Sequence, residues 1–257
     1  MKSTRTRLFT ALAATMLAAL PAAPVLAHPG AAEAIAAALA NPDRPKDQVE
    51  RDAYRQPAAL LAFMHIKPGD QVADLIAGSG YFTRLFASLA GPKGHVYAIL
   101  PAELAAKWPK AKPGNDALVA DPKLSNVSAL YPEIAKLAAD KPLDLVFTAQ
   151  NYHDVICYLS VADAMAMNKA IFAALKPGGR FVIIDHAGPG VTDPAEMKRL
   201  HRIDEALVKS QLLAAGFVLD KESDVLRNKA DTHDKMVFDP SIRSHTDQFV
   251  LSFKKPG

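Results

Sequence analysis

One short segment restricts the fold of this chain more than any other: the glycine-containing turn Asp74-Leu-Ile-Ala-Gly-Ser-Gly80. It overlaps an apolar run, residues 72–76, that is typical of a buried strand, and residues 82–90 after it have apolar side chains at helical spacing. A glycine-rich turn between a strand and a helix lets the backbone approach a ligand and directs helix N–H groups toward it. The turn therefore predicts an α/β sheet with a ligand site at the carboxyl ends of its strands.

The spacing of this turn differs from two common phosphate-binding motifs. Tyr81 and Phe82 follow Gly80, so the third glycine of a dinucleotide-binding fingerprint is missing, and the segment has no P-loop lysine. A nicotinamide-dependent dehydrogenase is therefore the weakest functional hypothesis. A tight turn with a purely structural role remains the alternative interpretation of the motif.

The rest of the chain alternates between strand-like and helix-like patterns. The two strands predicted last have no helix between them, so they should form an antiparallel pair. Together the patterns predict a doubly wound, mostly parallel, seven-stranded α/β sheet with an antiparallel last strand. The predicted strands are residues 72–76, 95–100, 126–130, 143–148, 180–185, 217–226 and 249–253, and the predicted helices are 31–40, 57–64, 82–90, 102–108, 161–175 and 204–215.

The N-terminus has the pattern of a secretory signal. Lys2, Arg5 and Arg7 precede a charge-free apolar run, residues 8–20, that is shorter than a membrane-spanning helix. We expect cleavage after Ala27 and export, with the periplasm as the expected compartment and no membrane span in the mature protein; an uncleaved anchor is the alternative. The predicted organisation is a signal peptide (1–27), an N-terminal helical and extended segment (28–56) and a main domain (57–257).

The charge balance argues against nucleic acid as a partner. The whole chain has a formal charge of +3, but residues 1–27 contain three basic and no acidic side chains. The remaining 230 residues are therefore formally neutral, without the basic excess that binding to a phosphate backbone requires. Cys157 is the only cysteine, so the chain cannot form an internal disulfide. We expect a small-molecule partner; the oligomeric state is not predicted.

Two glycine-containing turns in this order resemble those of the class I S-adenosylmethionine-dependent methyltransferases, which have a Rossmann-like fold. The first motif is Asp74-x-x-x-Gly78-x-Gly80, and Leu175-Lys-Pro-Gly-Gly-Arg-Phe-Val-Ile-Ile-Asp185 matches the later helix, turn and fifth strand. The resemblance covers residues 57–255. More narrowly, Asn151-Tyr-His-Asp154 and residues 237–243 resemble a group of exported bacterial members of that family.

The resemblance implies that S-adenosylmethionine is the cofactor. One departure concerns the second strand, which ends in Leu100-Pro101 where the family usually has an acid for the ribose hydroxyls; Glu103 is the nearest replacement. Losing a charged hydrogen bond costs about 1.5–3 kcal/mol of binding. A binding or sensing protein that has lost cofactor use is therefore the alternative. The cofactor-binding residues implied are Asp74, Ala77, Gly78, Ser79, Gly80, Tyr81 and Leu100.

Histidine and aspartate side chains follow the fourth and fifth predicted strands. We predict His153 as a general base in methyl transfer, with Asp154 or Asp185 orienting its ring. Helix capping and loop hydrogen bonding are the alternative roles of these groups. The carboxyl ends of neighbouring parallel strands meet at one edge, so residues nearby should contact the substrate. The predicted substrate-binding residues are Asn151, Tyr152, His186, His201 and Arg202.

The leading functional hypothesis is methyl transfer to an unidentified small molecule. We assign no metal ligand, although Asp154, Asp185 and His186 could hold Mg²⁺, Mn²⁺ or Zn²⁺. With such an ion the chain would be a metal-dependent hydrolase or lyase. His233 and His245, in a polar loop, are interpreted as solvated residues or as part of a lid.

Overall fold

A single seven-stranded sheet organises the protein. The computed structural model describes residues 30–137 and 139–257, so the predicted signal peptide and its cleavage site lie outside the described residues. The strand order is β3-β2-β1-β4-β5-β7-β6; β1 to β5 run parallel, and β7 runs antiparallel to both β5 and β6. The predicted fold class is confirmed. The strands are β1 (Gln71–Leu75), β2 (His95–Ile99), β3 (Val127–Leu130), β4 (Leu143–Ala149), β5 (Leu175–His186), β6 (Val218–Ser223) and β7 (Gln248–Lys254).

Helices precede the first strand and connect most of the later strands in the described chain. Within those residues no helix has the length and apolarity that a membrane span requires. The helices are α1 (Ala31–Leu39), α2 (Lys46–Glu50), α3 (Asp52–Arg55), α4 (Pro57–Met64), α5 (Tyr81–Ala90), α6 (Ala102–Lys107), α7 (Lys112–Ala120), α8 (Tyr152–Tyr158), α9 (Val161–Ala174), α10 (Pro194–Leu200) and α11 (Glu205–Ala214).

Alternate residues of the central strands pack into two hydrophobic layers. Val146 of β4 belongs to the layer that includes residues of α8, α9 and α11, whereas its neighbour Phe147 packs with residues of α1, α4 and α5. Successive side chains of a strand point to opposite faces, so both faces of the sheet are covered. Phe82 and Phe86 of α5 make edge contacts with Phe147 at ring-centroid distances of 4.6 and 5.2 Å.

The topology reverses between β1 and β4. Strand β1 pairs with β2 on one side and with β4 on the other, so consecutive connections leave the sheet in opposite directions. In open α/β sheets this reversal opens a crevice at the carboxyl ends of the strands. The segment from Ile76 to Gly80, which connects β1 to α5, lies at this position.

Five helices, namely α2, α3, α7, α8 and α10, were not predicted, because each depends on long-range packing or is too short for a periodic signal. Helix α7 carries Pro113 and Gly114 in its first turn, where proline is tolerated, and the fully buried Leu118 packs it against Gly80. Helices α8 and α10 have only seven residues each; Asp193 caps α10 by accepting hydrogen bonds from the N–H groups of Ala195 and Glu196.

The N-terminal segment packs directly on the glycine-containing turn. Gln48 Nε2 donates a hydrogen bond to the Ser79 carbonyl oxygen at 3.0 Å. The Tyr81 hydroxyl donates to Asp52 Oδ1 at 2.6 Å, and Asp52 also forms an ion pair with Arg44. These contacts place α2 and α3 beside the cavity described next; the domain boundary at residue 56 stays a prediction.

Candidate active site

The turn after β1 presents open backbone to a cavity. Gly78 has φ +60°, and a Cβ atom added there would meet no atom within 4 Å. Gly80 also has a left-handed conformation (φ +76°), but a Cβ atom there would lie 2.3 Å from Leu118 Cδ2. Gly78 therefore borders the space available to a ligand, whereas Gly80 allows α7 to approach the turn.

Asp74 lies below this turn with its carboxylate buried. Thr83 Oγ1 donates a hydrogen bond to Asp74 Oδ2 at 2.6 Å. Burial raises the pKa of Asp74 to about 6, although the hydrogen bond from Thr83 and the charge of Arg55 oppose the shift. The carboxylate therefore lacks a partner strong enough to compensate for its burial.

A cavity of about 350 Å³ lies over the ends of β1 and β4, and a smaller one of about 150 Å³ adjoins it. Such a volume is within the range of small-molecule sites. Both cavities are bordered by His186 and by Phe238 from the polar loop between β6 and β7, so part of this loop lies over the site. Of the predicted site residues, the larger cavity is lined by Asp74, Ala77, Gly78, Ser79, Tyr81, Asn151, His153, Asp154, His186 and His201.

The end of β2 offers no acid to this cavity. Leu100 is buried in the hydrophobic core together with Leu104, so the structure does not place it where it was predicted to contact the cofactor. Glu103 does not replace the missing acid, because its carboxylate accepts the backbone N–H of Ile134 at 3.0 Å.

Two predicted substrate-binding residues have structural roles instead. The buried Tyr152 hydroxyl donates to Gln211 Oε1 and accepts from Asn168 Nδ2, both at 2.7 Å. Arg202 is fully buried and pairs with Asp231 at 2.8 Å. The sequence interpretation was therefore wrong for these two side chains, because both point into the protein and their polar groups already have partners there.

Asp185 orients His153 from behind the cavity. His153 Nδ1 lies 2.8 Å from Asp185 Oδ1, and Asp185 Oδ2 accepts the backbone N–H of His153 at 2.9 Å. Asp185 Oδ1 also accepts the backbone N–H of His186. Of the two predicted orienting partners, Asp185 thus holds the ring nitrogen that faces away from the cavity. Both of its oxygens have N–H partners, and it does not line the cavity.

The other ring nitrogen of His153 faces a second cluster of polar atoms. His153 Nε2 lies 3.2 Å from His201 Nδ1 and 3.2 Å from Asp154 Oδ1. Burial alone would lower the pKa of His153, but the charges of Asp185 and Asp154 outweigh burial and raise it to about 10. In the ligand-free protein this favours a protonated ring, which cannot accept a proton. A general-base role of His153 at neutral pH is therefore not favoured.

Burial favours the neutral form of His186, and one of its ring nitrogens already has a partner. Its Nδ1 lies 2.8 Å from Thr246 Oγ1, and burial lowers its pKa to about 3. Among the described residues, Asp154, Asp185 and His186 do not form a compact group of three metal ligands, so the structure does not support the alternative metal site. Asp185 is occupied by N–H donors, and His186 Nδ1 by a hydroxyl.

Two arginines of the N-terminal segment line the cavity and were not identified from the sequence. Arg55 lies over the Tyr81 ring at 4.8 Å and donates to Gln150 Oε1 at 3.3 Å. Among the described residues no carboxylate forms an ion pair with Arg55 or Arg51, and the buried Arg55 Nε has no hydrogen-bond partner. Burial lowers the pKa of Arg55 to about 10, and the charge of Arg51 adds to the shift. No local motif indicates this role, because the segment reaches the site only through tertiary packing.

Two kinds of known protein are similar to this chain, although no protein-family model matches it. The ubiquinone/menaquinone biosynthesis C-methyltransferase UbiE of Ectopseudomonas mendocina is 29% identical over 187 residues, which cover 72% of this chain and 63% of that protein. The UbiE protein of Vibrio cholerae is 27% identical over 189 residues, covering 72% and 62%. The chain thus spans less than two thirds of the length of these relatives.

Solved structures show the same architecture at lower sequence identity. A SAM-dependent methyltransferase from Aquifex aeolicus has a TM-score of 0.55 at 20% identity and covers 82% of this chain and 93% of its own. The N-methyltransferase NodS of Bradyrhizobium japonicum has a TM-score of 0.53 at 15% identity, covering 81% and 97%. A Bordetella parapertussis protein described as a possible exported protein has a TM-score of 0.50 at 18% identity, covering 88% and 79%. The chain therefore has the fold of the class I S-adenosylmethionine-dependent methyltransferases and is similar to members of that family in sequence.

Proposed function

We propose that this protein binds S-adenosylmethionine and transfers its methyl group to a small molecule. One observation carries the proposal: the cavity extends from the open backbone at Gly78 to the cluster of His153, Asp154 and His201. A cofactor-binding turn and a polar reaction surface therefore face the same space.

The residues near Gly78 fit the amino-acid end of S-adenosylmethionine. This end is a zwitterion, with one carboxylate and one ammonium group. Arg55 offers a half-buried guanidinium without an acidic partner among the described residues, and Asp74 offers a buried carboxylate at the same cavity. Opposite charges that are already partly desolvated favour a ligand that carries both complements. Gly78 leaves the room that a side chain would otherwise fill.

The chain contributes positioning rather than covalent chemistry. When bound, the cofactor supplies an electrophilic methyl group on a sulfonium sulfur. Phe238 and Trp108 border the cavity with their aromatic rings. His153, held by Asp185 and flanked by Asp154 and His201, forms a preorganised polar surface for the acceptor. Holding the reactants in line accounts for much of the rate of such displacements.

The similarity to UbiE proteins supports methyl transfer but does not identify the acceptor. Those relatives are C-methyltransferases of ubiquinone and menaquinone biosynthesis, and the chain spans only 63% of the length of the one from Ectopseudomonas mendocina. The acceptor of this protein therefore stays unassigned.

A binding or sensing protein is the second candidate, favoured by the end of β2. Leu100 is buried, and Glu103 is bonded to the backbone of Ile134, so neither supplies the ribose acceptor common in the family. Cofactor binding then depends mainly on the amino-acid end, near Asp74 and Arg55.

Calorimetry with two ligands tests the binding proposal. S-adenosylhomocysteine contains the amino-acid end, whereas 5′-methylthioadenosine lacks it. We expect Arg55→Met to weaken S-adenosylhomocysteine binding by about 10- to 100-fold, the equivalent of one charged hydrogen bond, and to leave 5′-methylthioadenosine binding unchanged. Gly78→Leu should abolish binding of both ligands.

Arg84→Met is the matched control, because Arg84 pairs with Asp121 and does not line the cavity. It should bind both ligands as the wild type does. If neither S-adenosylhomocysteine nor 5′-methylthioadenosine gives a binding heat at millimolar concentration, the proposal is overturned. Transfer itself is measured as conversion of S-adenosylmethionine in the presence of a small-molecule extract. Binding without conversion would favour the sensing protein.

Export is a separate proposal that rests on the N-terminal pattern of Lys2, Arg5 and Arg7 followed by an apolar run. The structural similarity to the Bordetella protein is in keeping with it. Expression of the full chain in a Gram-negative host should yield a periplasmic product whose first residue, determined by mass spectrometry, is His28. Recovery of an intact N-terminus in the cytoplasm would contradict it.

A further inference from the structure

Three potential metal ligands form a nearly regular triangle at the wall of the cavity. His153 Nε2 lies 3.2 Å from His201 Nδ1 and 3.2 Å from Asp154 Oδ1, and His201 Nδ1 lies 3.6 Å from Asp154 Oδ1. A tetrahedral ion with bonds of about 2.0–2.1 Å holds neighbouring ligand atoms about 3.3–3.4 Å apart. The separations within the triangle are therefore close to those between the ligands of a bound ion.

One of these three atoms has no well-aligned hydrogen bond. Asp154 Oδ1 is buried, and among the described residues its neighbours are the imidazole nitrogens of His153 at 3.2 Å and His201 at 3.6 Å, neither aligned as a hydrogen-bond donor. A buried polar atom without an aligned donor calls for an explanation. An ion within the triangle would complete the coordination of this oxygen and replace the proton of His153.

The groups behind the triangle have the arrangement that metal sites use. Asp185 holds His153 Nδ1 at 2.8 Å, which leaves the Nε2 lone pair directed toward Asp154 and His201 once the ring is neutral. A carboxylate behind a ligating histidine fixes its tautomer and increases its basicity. Asp185 is fully buried and accepts two further N–H groups, so the ring is firmly oriented.

We propose that His153 Nε2, Asp154 Oδ1 and His201 Nδ1 bind a divalent transition-metal ion, with Asp185 as the orienting group behind His153. Two imidazoles and one carboxylate suit Zn²⁺, Co²⁺ or Fe²⁺ better than Mg²⁺ or Ca²⁺, which prefer oxygen ligands. All three ligands line the cavity, so a fourth position faces the space available to a ligand. An open position of this kind characterises catalytic rather than structural metal sites.

The consequence for chemistry rests on the proposed methyl transfer. An acceptor hydroxyl bound at the open position loses its proton to solvent more readily, because the ion stabilises the oxyanion. Its oxygen then forms the new bond to the methyl carbon as the sulfur–methyl bond breaks, which releases S-adenosylhomocysteine. The metal site itself does not depend on that reaction, since its ligands are distinct from Asp74, Gly78 and Arg55.

Titration with Co²⁺ tests the site. The visible absorption of Co²⁺ reports its coordination, and Zn²⁺ is then added to displace the bound ion. The full chain is purified without a histidine tag and stripped with a chelator. We expect one equivalent to bind. His201→Asn, which keeps a residue able to adopt the left-handed conformation at this position (φ 52°), should weaken binding by about 100-fold or more. Asp154→Asn should do the same. Asp185→Asn should weaken it by about 10- to 100-fold.

His233→Ala is the matched control. His233 Nε2 also pairs with a carboxylate, that of Asp247 at 3.0 Å, but it belongs to no group of three metal ligands among the described residues. It should bind Co²⁺ as the wild type does. Folding of each variant is checked by circular dichroism, and His201 is the safest site because its side chain is 21% exposed.

Two results would overturn the proposal. One is the absence of stoichiometric binding by the folded wild type, which would mean that a protonated His153 alone explains the contacts. The other is equal affinity in the wild type, His201→Asn and Asp154→Asn. Calorimetry with S-adenosylhomocysteine on the chelator-treated protein separates this test from that of the proposed function. If the protein binds Co²⁺ but does not bind S-adenosylhomocysteine, only the proposed methyl transfer is contradicted and the metal site stands.

Discussion

Arg202 and Asp231 form a fully buried, bidentate ion pair, with distances of 2.8 Å from Nη1 to Oδ2 and 3.0 Å from Nη2 to Oδ1. Arg202 also donates to the carbonyl oxygens of Ala187 and Lys235, and Asp231 accepts the backbone N–H of Asp247. The pair therefore fastens the polar loop between β6 and β7, which carries Phe238, to the end of β5.

Removing the arginine of this pair should destabilise the protein strongly. Arg202→Ala leaves Asp231 buried without its counter-charge, and we expect the free energy of unfolding to fall by about 3–5 kcal/mol in urea titrations. Arg199→Ala is the control, because Arg199 pairs with Glu196 at the surface and should not change stability measurably. Equal effects of the two substitutions would mean that the buried pair does not hold the loop.

Asp74 should make the stability of the ligand-free protein depend on pH. Its pKa is raised by burial from 3.8 to about 6, so the folded state holds a proton that the unfolded state has already released. Between these values the unfolded state binds fewer protons, and the free energy of unfolding must fall as the pH rises. The shift corresponds to about 3 kcal/mol, lost in full above pH 6.

The measurement compares the wild type with Asp74→Asn in urea titrations between pH 4 and pH 8. Asparagine can still accept the hydrogen bond from Thr83 but does not ionise. As the pH rises through about 5, the free energy of unfolding of the variant should increase relative to that of the wild type. If the free energies of unfolding of the two proteins change in parallel over the whole pH range, burial does not raise the pKa of Asp74.

The two glycines of the turn should differ in their tolerance of a methyl group. Both have positive φ, so alanine is strained at either position by about 1–2 kcal/mol. At Gly80 the new Cβ atom also collides with Leu118, whereas at Gly78 it meets open space. We expect Gly80→Ala to lower the thermal midpoint clearly more than Gly78→Ala. The reverse order would place the open side of the turn at Gly80.

Much of the site was predictable because neighbouring parallel strands end at the same edge of the sheet. His153 follows β4, and Asp185 is the second-last residue of β5, so strand order alone brings them together, as their 2.8 Å contact shows. The glycine-containing turn was predictable because left-handed backbone at Gly78 and Gly80 leaves a signature in the sequence.

The remainder depends on contacts between distant segments. Arg55 precedes Gln150 by 95 residues, and no periodic pattern specifies that their side chains meet. Arg202 adjoins His201 in sequence, yet one points into the protein and the other lines the cavity. The two side chains point in different directions because His201 has a left-handed backbone conformation at the end of α10. A histidine in the sequence does not predict that conformation. Local sequence identified the polar residues near the site but not the direction in which each one points.

Asp52 should couple the stability of the N-terminal segment to ligand binding. It pairs with the buried Arg44, accepts the Tyr81 hydroxyl, and begins the helix that ends at Arg55. Asp52→Ala leaves the guanidinium of Arg44 without its acid and frees α3 from the turn. Because the carboxylate is about one quarter exposed, we expect a moderate loss of about 1–3 kcal/mol together with weaker binding of S-adenosylhomocysteine. Asp43→Ala, which breaks only an exposed pair with Lys123, should change neither quantity. Unfolding in urea and calorimetry on the same samples measure both. A loss of stability with unchanged affinity would mean that α3 holds Arg55 in place without help from Asp52.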